Sequence, residues 1–397
     1  MVCRRNSTFP RLAALSVLTL AACSSSAINA PATGDGLSTV ATVAVSAVAP
    51  VDVTVPVLPA VPFRYADAAI ALPFHFTAPN GPPGSVAATD NTPASNRVTD
   101  AGATLGRVLF YDKRLSVNNQ VACASCHVQA RAFGDSARLS RGFAGGFTHR
   151  HSMALANARY YQPGRFFWDE RASSLEVQVL MPIQDATEMG MTLPVLQSKL
   201  AATTFYAPLF RAAFGTTDVT SDRISRALAQ FVRSLSSYRA KYDQAFVGNA
   251  PPNFAAVFAA QELQGQQLFV GRAGCARCHR TDAQVSNTVH NNGLDAVLSD
   301  TGAGGGRFKS PSLRNIAVRA PYMHDGRFTT LRQVVEHYNS GIQGSPNLDR
   351  VLRGPNGQPQ RLNLTSAELD ALVAYLGTLT DASLLTDPKF SSPFPRP

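Results

Sequence analysis

The sequence has one tryptophan, six cysteines and eight histidines in 397 residues, and only 16% of it is charged. Each shortage excludes something. Cys123, Cys126, Cys275 and Cys278 fall in two Cys-x-x-Cys-His strings, while Cys3 lies inside an export-type leader and Cys23 ends it. None is left over for a disulfide framework. No basic run with interleaved aromatics is present, so the net charge of +10 carries no nucleic-acid signal. A long apolar run is missing too: Leu12 to Ala22 is too short to span a bilayer comfortably. What remains is 45% hydrophobic, a globular composition, in a chain long enough for two domains.

Residues 1–22 read as an address. Arg4, Arg5 and Arg11 precede the apolar run, which ends Leu20-Ala21-Ala22-Cys23. That ending resembles a bacterial lipoprotein box. The resemblance implies a cleaved lipoprotein signal peptide and a lipidated Cys23 on the periplasmic side of a membrane. Ser24 favours the outer membrane. An ordinary signal peptide that happens to contain a cysteine is the plainer alternative. Without residues 1–22 the net charge falls to +7, because three arginines and no acid leave with them. Residues 23–65 read as a flexible tether, since 24–62 hold Asp35 and Asp52 as their only charges and their prolines argue against a strand.

The remainder repeats one theme. Gly106-Arg107-Val108-Leu109-Phe110 precedes Cys123-Ala124-Ser125-Cys126-His127, and Gly265-Gln266-Gln267-Leu268-Phe269 precedes Cys275-Ala276-Arg277-Cys278-His279. A helix entering an attachment loop, twice, predicts two related domains. Ile224, Leu228, Phe231, Val232 and Leu235 form one helical stripe, and Leu331, Val334, Val335 and Tyr338 another. Thr365 and Glu368 make a capping box ahead of Leu369, Leu372, Val373 and Leu376. Convincing strands are absent. The expected fold is mainly α, with two cytochrome c-like haem domains at residues 66–248 and 249–397 and long loops. The break falls near Gly248, Pro251 and Pro252.

The two Cys-x-x-Cys-His strings carry the chemistry. Thiols at i and i+3 add to the two vinyl groups of a haem, and the next histidine binds its iron. Two covalent haem c groups, on Cys123, Cys126, Cys275 and Cys278 with His127 and His279 as axial ligands, are therefore expected. A zinc or redox Cys-x-x-Cys is the alternative. Four haem propionates would lower the excess charge further, to about +3.

Haem count alone does not give function; further strings do. Leu105-Gly-Arg-Val-Leu-Phe-Tyr-Asp-Lys-Arg-Leu-Ser116 resembles the opening of the bacterial diheme cytochrome c peroxidase/MauG family. So do Phe167-Trp168-Asp169-Glu170-Arg171-Ala172, Pro311-Ser-Leu-Arg-Asn315 and Ala320-Pro-Tyr-Met-His-Asp-Gly326. The resemblance covers residues from about 100 to 380. It implies a periplasmic peroxidase whose N-terminal haem reduces hydrogen peroxide with Glu188 as acid/base and Gln178 beside it. Trp168 would carry electrons between the haems. It also implies a six-coordinate C-terminal haem with Tyr338 as sixth ligand and Met323 as its rival. The donor would be a small cytochrome c, a cupredoxin or a quinol, and a homodimer stays open. Oxidation of a specific protein partner, as in MauG, and plain electron transfer are the competing functions. Taken without the resemblance, Trp168 and Tyr338 read as core and Glu188 as a surface acid.

Two departures stand out. The family's Asp-Gly-Arg-Ala is Asp169-Glu170-Arg171-Ala172 here, and an Asn that helps hold calcium between the domains is replaced by His151. Calcium is therefore doubtful, although backbone carbonyls near Arg319 and Pro321 remain. His149 and His151 lie where some relatives carry a histidine that blocks the N-terminal haem. Neither falls on that position, which favours an open haem.

Overall fold

The computed structural model describes residues 55–78 and 85–395. The leader, Cys23 and the tether up to residue 54 lie outside them. The described residues form one compact unit. The mainly helical expectation holds, and the described strands are one antiparallel pair of two residues each, β1 (Val289–His290) and β2 (Phe308–Lys309).

Two helix pairs build two cores. In the first, α1 (Asp100–Tyr111) starts where the Thr99 hydroxyl accepts the Gly102 N–H at 3.0 Å and Asp100 meets the positive end of the helix. It leads to a single helical turn, α2 (Cys123–Cys126), and later to the short α3 (Leu175–Gln178). The helix α4 (Ser221–Ser234) crosses α1 and buries the expected stripe Ile224, Leu228, Phe231 and Val232 against it. Phe110, Phe133 and Phe231 interlock there with centroids 5.2–6.3 Å apart.

The second core repeats the arrangement with α5 (Ala260–Val270), the short α6 (Leu331–Glu336) and α7 (Ser366–Gly377). The Thr365–Glu368 capping box forms: Thr365 N–H donates to Glu368 Oε2 at 2.8 Å, and Glu368 N–H to Thr365 Oγ1 at 3.3 Å. Phe269 and Tyr375 pack between α5 and α7 at 5.0 Å.

The lobes are stitched together. Leu384 and Phe390, from the end of the chain, sit in the first core, and the Tyr111 hydroxyl donates to the Phe390 carbonyl at 2.6 Å. Residues 55–65 also meet this tail: Val57 N–H donates to the Pro393 carbonyl, and buried Tyr65 to that of Lys389. Tyr242 and Ala240 already belong to the second core. Arg150 pairs with Asp169 at 2.6 Å and with Asp300 at 2.7 Å. Lys309 N–H donates to the Trp168 carbonyl at 2.8 Å and so fastens β2 to the first lobe. Among the described residues no helix is long and apolar enough to cross a membrane.

Candidate active site

Each Cys-x-x-Cys-His string ends in an imidazole held the same way. His127 Nδ1 donates to the Phe133 carbonyl at 2.8 Å, and His279 Nδ1 to the Gln284 carbonyl at 3.2 Å. A carbonyl can only accept, so Nδ1 carries the proton and Nε2 keeps its lone pair. That is what an axial iron ligand requires. The repeated phenylalanine backs each ring: Phe110 lies 6.4 Å from His127 and Phe269 6.4 Å from His279. Burial keeps both imidazoles neutral, lowering the pKa of His127 and pushing that of His279 down to about 4.

Burial pushes the thiols of Cys123 and Cys275 up to about 12, and those of Cys126 and Cys278 up to about 11. These are not the activated thiolates of a redox dithiol, and among the described residues no group of three or more His, Cys, Asp or Glu is placed to hold a zinc ion. They are thiols that thioether bonds to a haem can use.

His127 opens onto a cavity of about 900 Å³. Gln178, at the end of α3, and Glu188 line it together with Trp168. The backbone at Glu188 is fixed from two sides. Asp185 Oδ1 accepts its N–H at 3.0 Å, and its carbonyl accepts the Phe143 N–H at 3.0 Å. Burial, with the nearby Asp185 charge, pushes the Glu188 pKa up to about 7 against the pull of Arg171. His149 is exposed and also lines this cavity, whereas buried His151 turns Nδ1 to the Ala137 and Arg138 carbonyls at 3.1 and 3.3 Å.

His279 opens onto a narrower cavity of about 200 Å³. Both rival ligands line it. Asn292 Nδ2 donates to Tyr338 Oη at 3.3 Å and lies 3.5 Å from Met323 Sδ. Tyr338 sits on a π-helical turn, His337–Gly341, that continues α6; such bulges recur at functional sites. Burial pushes its phenol up to about 12.

Trp168 lines both cavities. Its indole N–H donates to the His151 carbonyl at 2.7 Å, and its ring lies 6.5 Å from His324, itself stacked 3.6 Å from Phe308. His324 and Lys309 line both cavities as well. Sequence reasoning gave neither a role: His324 lies inside the Ala320–Gly326 string, and Lys309 two residues before Pro311. Buried Lys309 lies 3.9 Å from the Tyr161 ring centroid, and burial pushes its pKa down to about 7. Buried Arg319 lines the second cavity with Nε unpaired. Two buried cations without carboxylate partners are costly unless an anionic group joins them, and haem propionates are such groups. The residues therefore fit haem. His151, read above as replacing a calcium-holding Asn, turns Nδ1 to the Ala137 and Arg138 carbonyls at 3.1 and 3.3 Å and brings no oxygen donor of its own.

Two thiol pairs, each followed by a histidine that lines a cavity and whose Nδ1 is committed to a carbonyl, make this a di-haem c-type cytochrome. The comparisons narrow the class. Residues 100–251 match the di-haem cytochrome c peroxidase family, and residues 263–380 match cytochrome c. The chain is 35% identical to the methylamine utilization protein MauG of Methylorubrum extorquens, over 72% of this chain and 80% of that protein. It is 31% identical to the cytochrome c551 peroxidase of Nitrosomonas europaea, over 70% and 79%. The crystal structure of a MauG-like protein associated with microbial copper homeostasis superposes with a TM-score of 0.66 at 32% identity, covering 79% of this chain and 97% of that one. The chain belongs to the di-haem cytochrome c peroxidase family. It is a peroxidase-like oxidoreductase with two covalently bound c-type haems.

Proposed function

We propose that the cavity facing His127 reduces hydrogen peroxide to water, using electrons that enter through the centre facing His279. The observation that carries this is Glu188, a partly desolvated carboxyl with a pKa of about 7 on the wall of the larger cavity. A carboxyl tuned near neutrality can take a proton from one peroxide oxygen and return it to the other, which leaves as water. Gln178 holds the peroxide in line for that transfer. Cys123, Cys126 and His127 hold one haem, and Cys275, Cys278 and His279 the other. When bound, the haems supply the iron centres that pass two electrons to peroxide. Trp168, in the wall of both cavities, carries those electrons across, and Tyr338 completes the second centre.

On this reading residues 66–248 are the peroxidatic half and 249–397 the electron-transfer half. The lipoprotein box supports a periplasmic protein anchored through Cys23, and a small cytochrome c, a cupredoxin or a quinol is the donor. Steady-state peroxide reduction by the holoprotein with each reduced donor tests the reading. No turnover with any of them overturns it. A second reading, oxidation of a specific protein partner, is favoured by one feature: Tyr338 beside Met323 in the second cavity. A cross-linked partner would distinguish it.

A further inference from the structure

Tyr161 and Glu170 take no part in that scheme, yet they are built against the same cavity. Tyr161 is fully buried and lies on the cavity wall with Trp168. Its hydroxyl donates to Glu170 Oε1. Glu170 sits on the strap in which Phe166 N–H donates to the Ala172 carbonyl at 2.9 Å. Its backbone has φ of +57°, a left-handed conformation that favours glycine over a side chain such as Glu. The strap thus tolerates local strain to keep a carboxylate under this phenol. Its neighbours Asp169 and Arg171 pair with each other at 2.9 Å, while Glu170 takes the phenol.

Other tyrosine–carboxylate pairs exist. Tyr206 donates to Asp112 at 2.6 Å and Tyr242 to Asp282 at 2.9 Å. Both serve packing: neither tyrosine lines the large cavity, and Asp112 is also held by Arg114 at 3.1 Å. Of the tyrosines, Tyr161 alone lines it among the described residues.

A buried phenol cannot readily lose an electron alone, because a cation would be left out of water with the Lys309 amine 3.9 Å from its ring centroid. Nor does it ionise first: burial, and then the hydrogen bond to Glu170 and its charge, push its pKa well above the ordinary tyrosine range. It can lose electron and proton together if a base already holds the hydrogen. We propose that Tyr161 is an oxidisable electron donor on the wall of the peroxide cavity, with Glu170 as the acceptor of its phenolic proton. One electron leaves the Tyr161 ring for the centre that hydrogen peroxide has oxidised. The O–H bond breaks, the proton bonds to Glu170 Oε1, and a neutral tyrosyl radical remains. Half-buried Glu170 exchanges that proton with solvent. An electron from the external donor, with a proton, restores the phenol. Tyr161 thus lends an electron when the second centre has none to give.

This inference rests on the cavity being the peroxide site, and the experiment separates the two. The diferric holoprotein is mixed with peroxide without donor and freeze-quenched, with haem absorption followed in parallel. Wild type should show an organic radical in the EPR spectrum that narrows when the protein is grown on ring-deuterated tyrosine. Tyr161→Phe should remove it. Glu170→Gln keeps a hydrogen-bond acceptor but not a proton acceptor, and should lower the yield by about tenfold or more. Glu170→Gly, which relieves the left-handed strain, should do the same and guards against misfolding. A pair that merely staples the strap predicts lower melting temperatures and an unchanged radical, which overturns the proposal. So does haem absorption that responds to peroxide with no tyrosyl radical in wild type. Absorption indifferent to peroxide overturns the reading of the cavity and this inference with it.

Discussion

Gly106 lies so close to Ala227 on the crossing helix that a β-carbon added to it would overlap the Ala227 carbonyl oxygen. Gly265 meets the Ala371 carbonyl in the same way in the second lobe. The repeated glycine therefore sets the approach of each helix pair, which in turn seats the phenylalanine behind the histidine. Gly106→Ala and Gly265→Ala should each destabilise the holoprotein by about 3 kcal/mol, since backbone must move to relieve the overlap. Thermal unfolding of both variants checks this, and a change within about 0.5 kcal/mol would mean that the helices adjust freely.

Glu188→Gln should slow the reaction with peroxide by about 10²–10⁴-fold. In wild type the rate should rise with pH through about 7, where Glu188 becomes the base, and the variant should lack that rise. The same burial has a stability signature. Its folded-state pKa lies above the ordinary 4.5, so the contribution of Glu188 is full below pH 4.5 and lost as the pH rises to about 7. The variant should gain stability relative to wild type at pH 8 and not at pH 4. Paired rate and melting profiles test both halves.

Arg314 is fully buried and bonds both oxygens of Asp243, at 2.5 and 2.7 Å, while His75 Nε2 meets Asp243 Oδ1 at 2.9 Å. Burial alone would raise the Asp243 pKa, but the Arg314 charge and these bonds hold it below 3.8. That contribution is present above pH 3.8 and lost as the pH falls below it. Arg314→Met should cost about 3–5 kcal/mol at pH 7 by stranding a buried carboxylate. The loss should shrink in acid, as denaturant titrations at pH 7 and pH 3 would reveal.

Trp168→Leu should slow steady-state turnover more than it slows the first reaction with peroxide, because the indole lies between the cavities. Stopped-flow mixing of the half-reduced and the diferric protein with peroxide separates the two rates. Equal slowing would place Trp168 in the packing of the first cavity instead.

Local signals carry most of the fold. The capping box at Thr365 and the stripe on α4 depend on residues within a few turns of one another, and both are legible in the sequence. The attachment strings are equally local. The pairs that join distant segments are not. Lys309 reads as an ordinary surface charge until β2 brings it over Tyr161, and Glu170 reads as a departure from a motif until the strap folds it under that ring. The site residues Gln178, Glu188 and Trp168 depended on the family register, because no periodicity marks them.

Tyr338 and Met323 share one donor, Asn292, so the second cavity offers two oxygen or sulfur ligands of opposite redox effect. A phenolate stabilises ferric iron relative to a thioether. If Tyr338 is the ligand, Tyr338→Met should raise the reduction potential of one haem and leave the other nearly unchanged. Met323→Leu should then have little effect on either. The reverse pattern would assign Met323 and make Tyr338 part of the packing that continues α6. Low-temperature EPR of the resting diferric protein bears on the same asymmetry. One high-spin and one low-spin signal are expected, because two candidate ligands face the second centre while Gln178 and Glu188 face the first. Two low-spin signals would mean either a plain electron carrier or a histidine on the first iron, and in the second case His149, exposed at the larger cavity, would be the residue to replace. His151, whose Nδ1 is committed to two carbonyls, would have to break those bonds before it could bind.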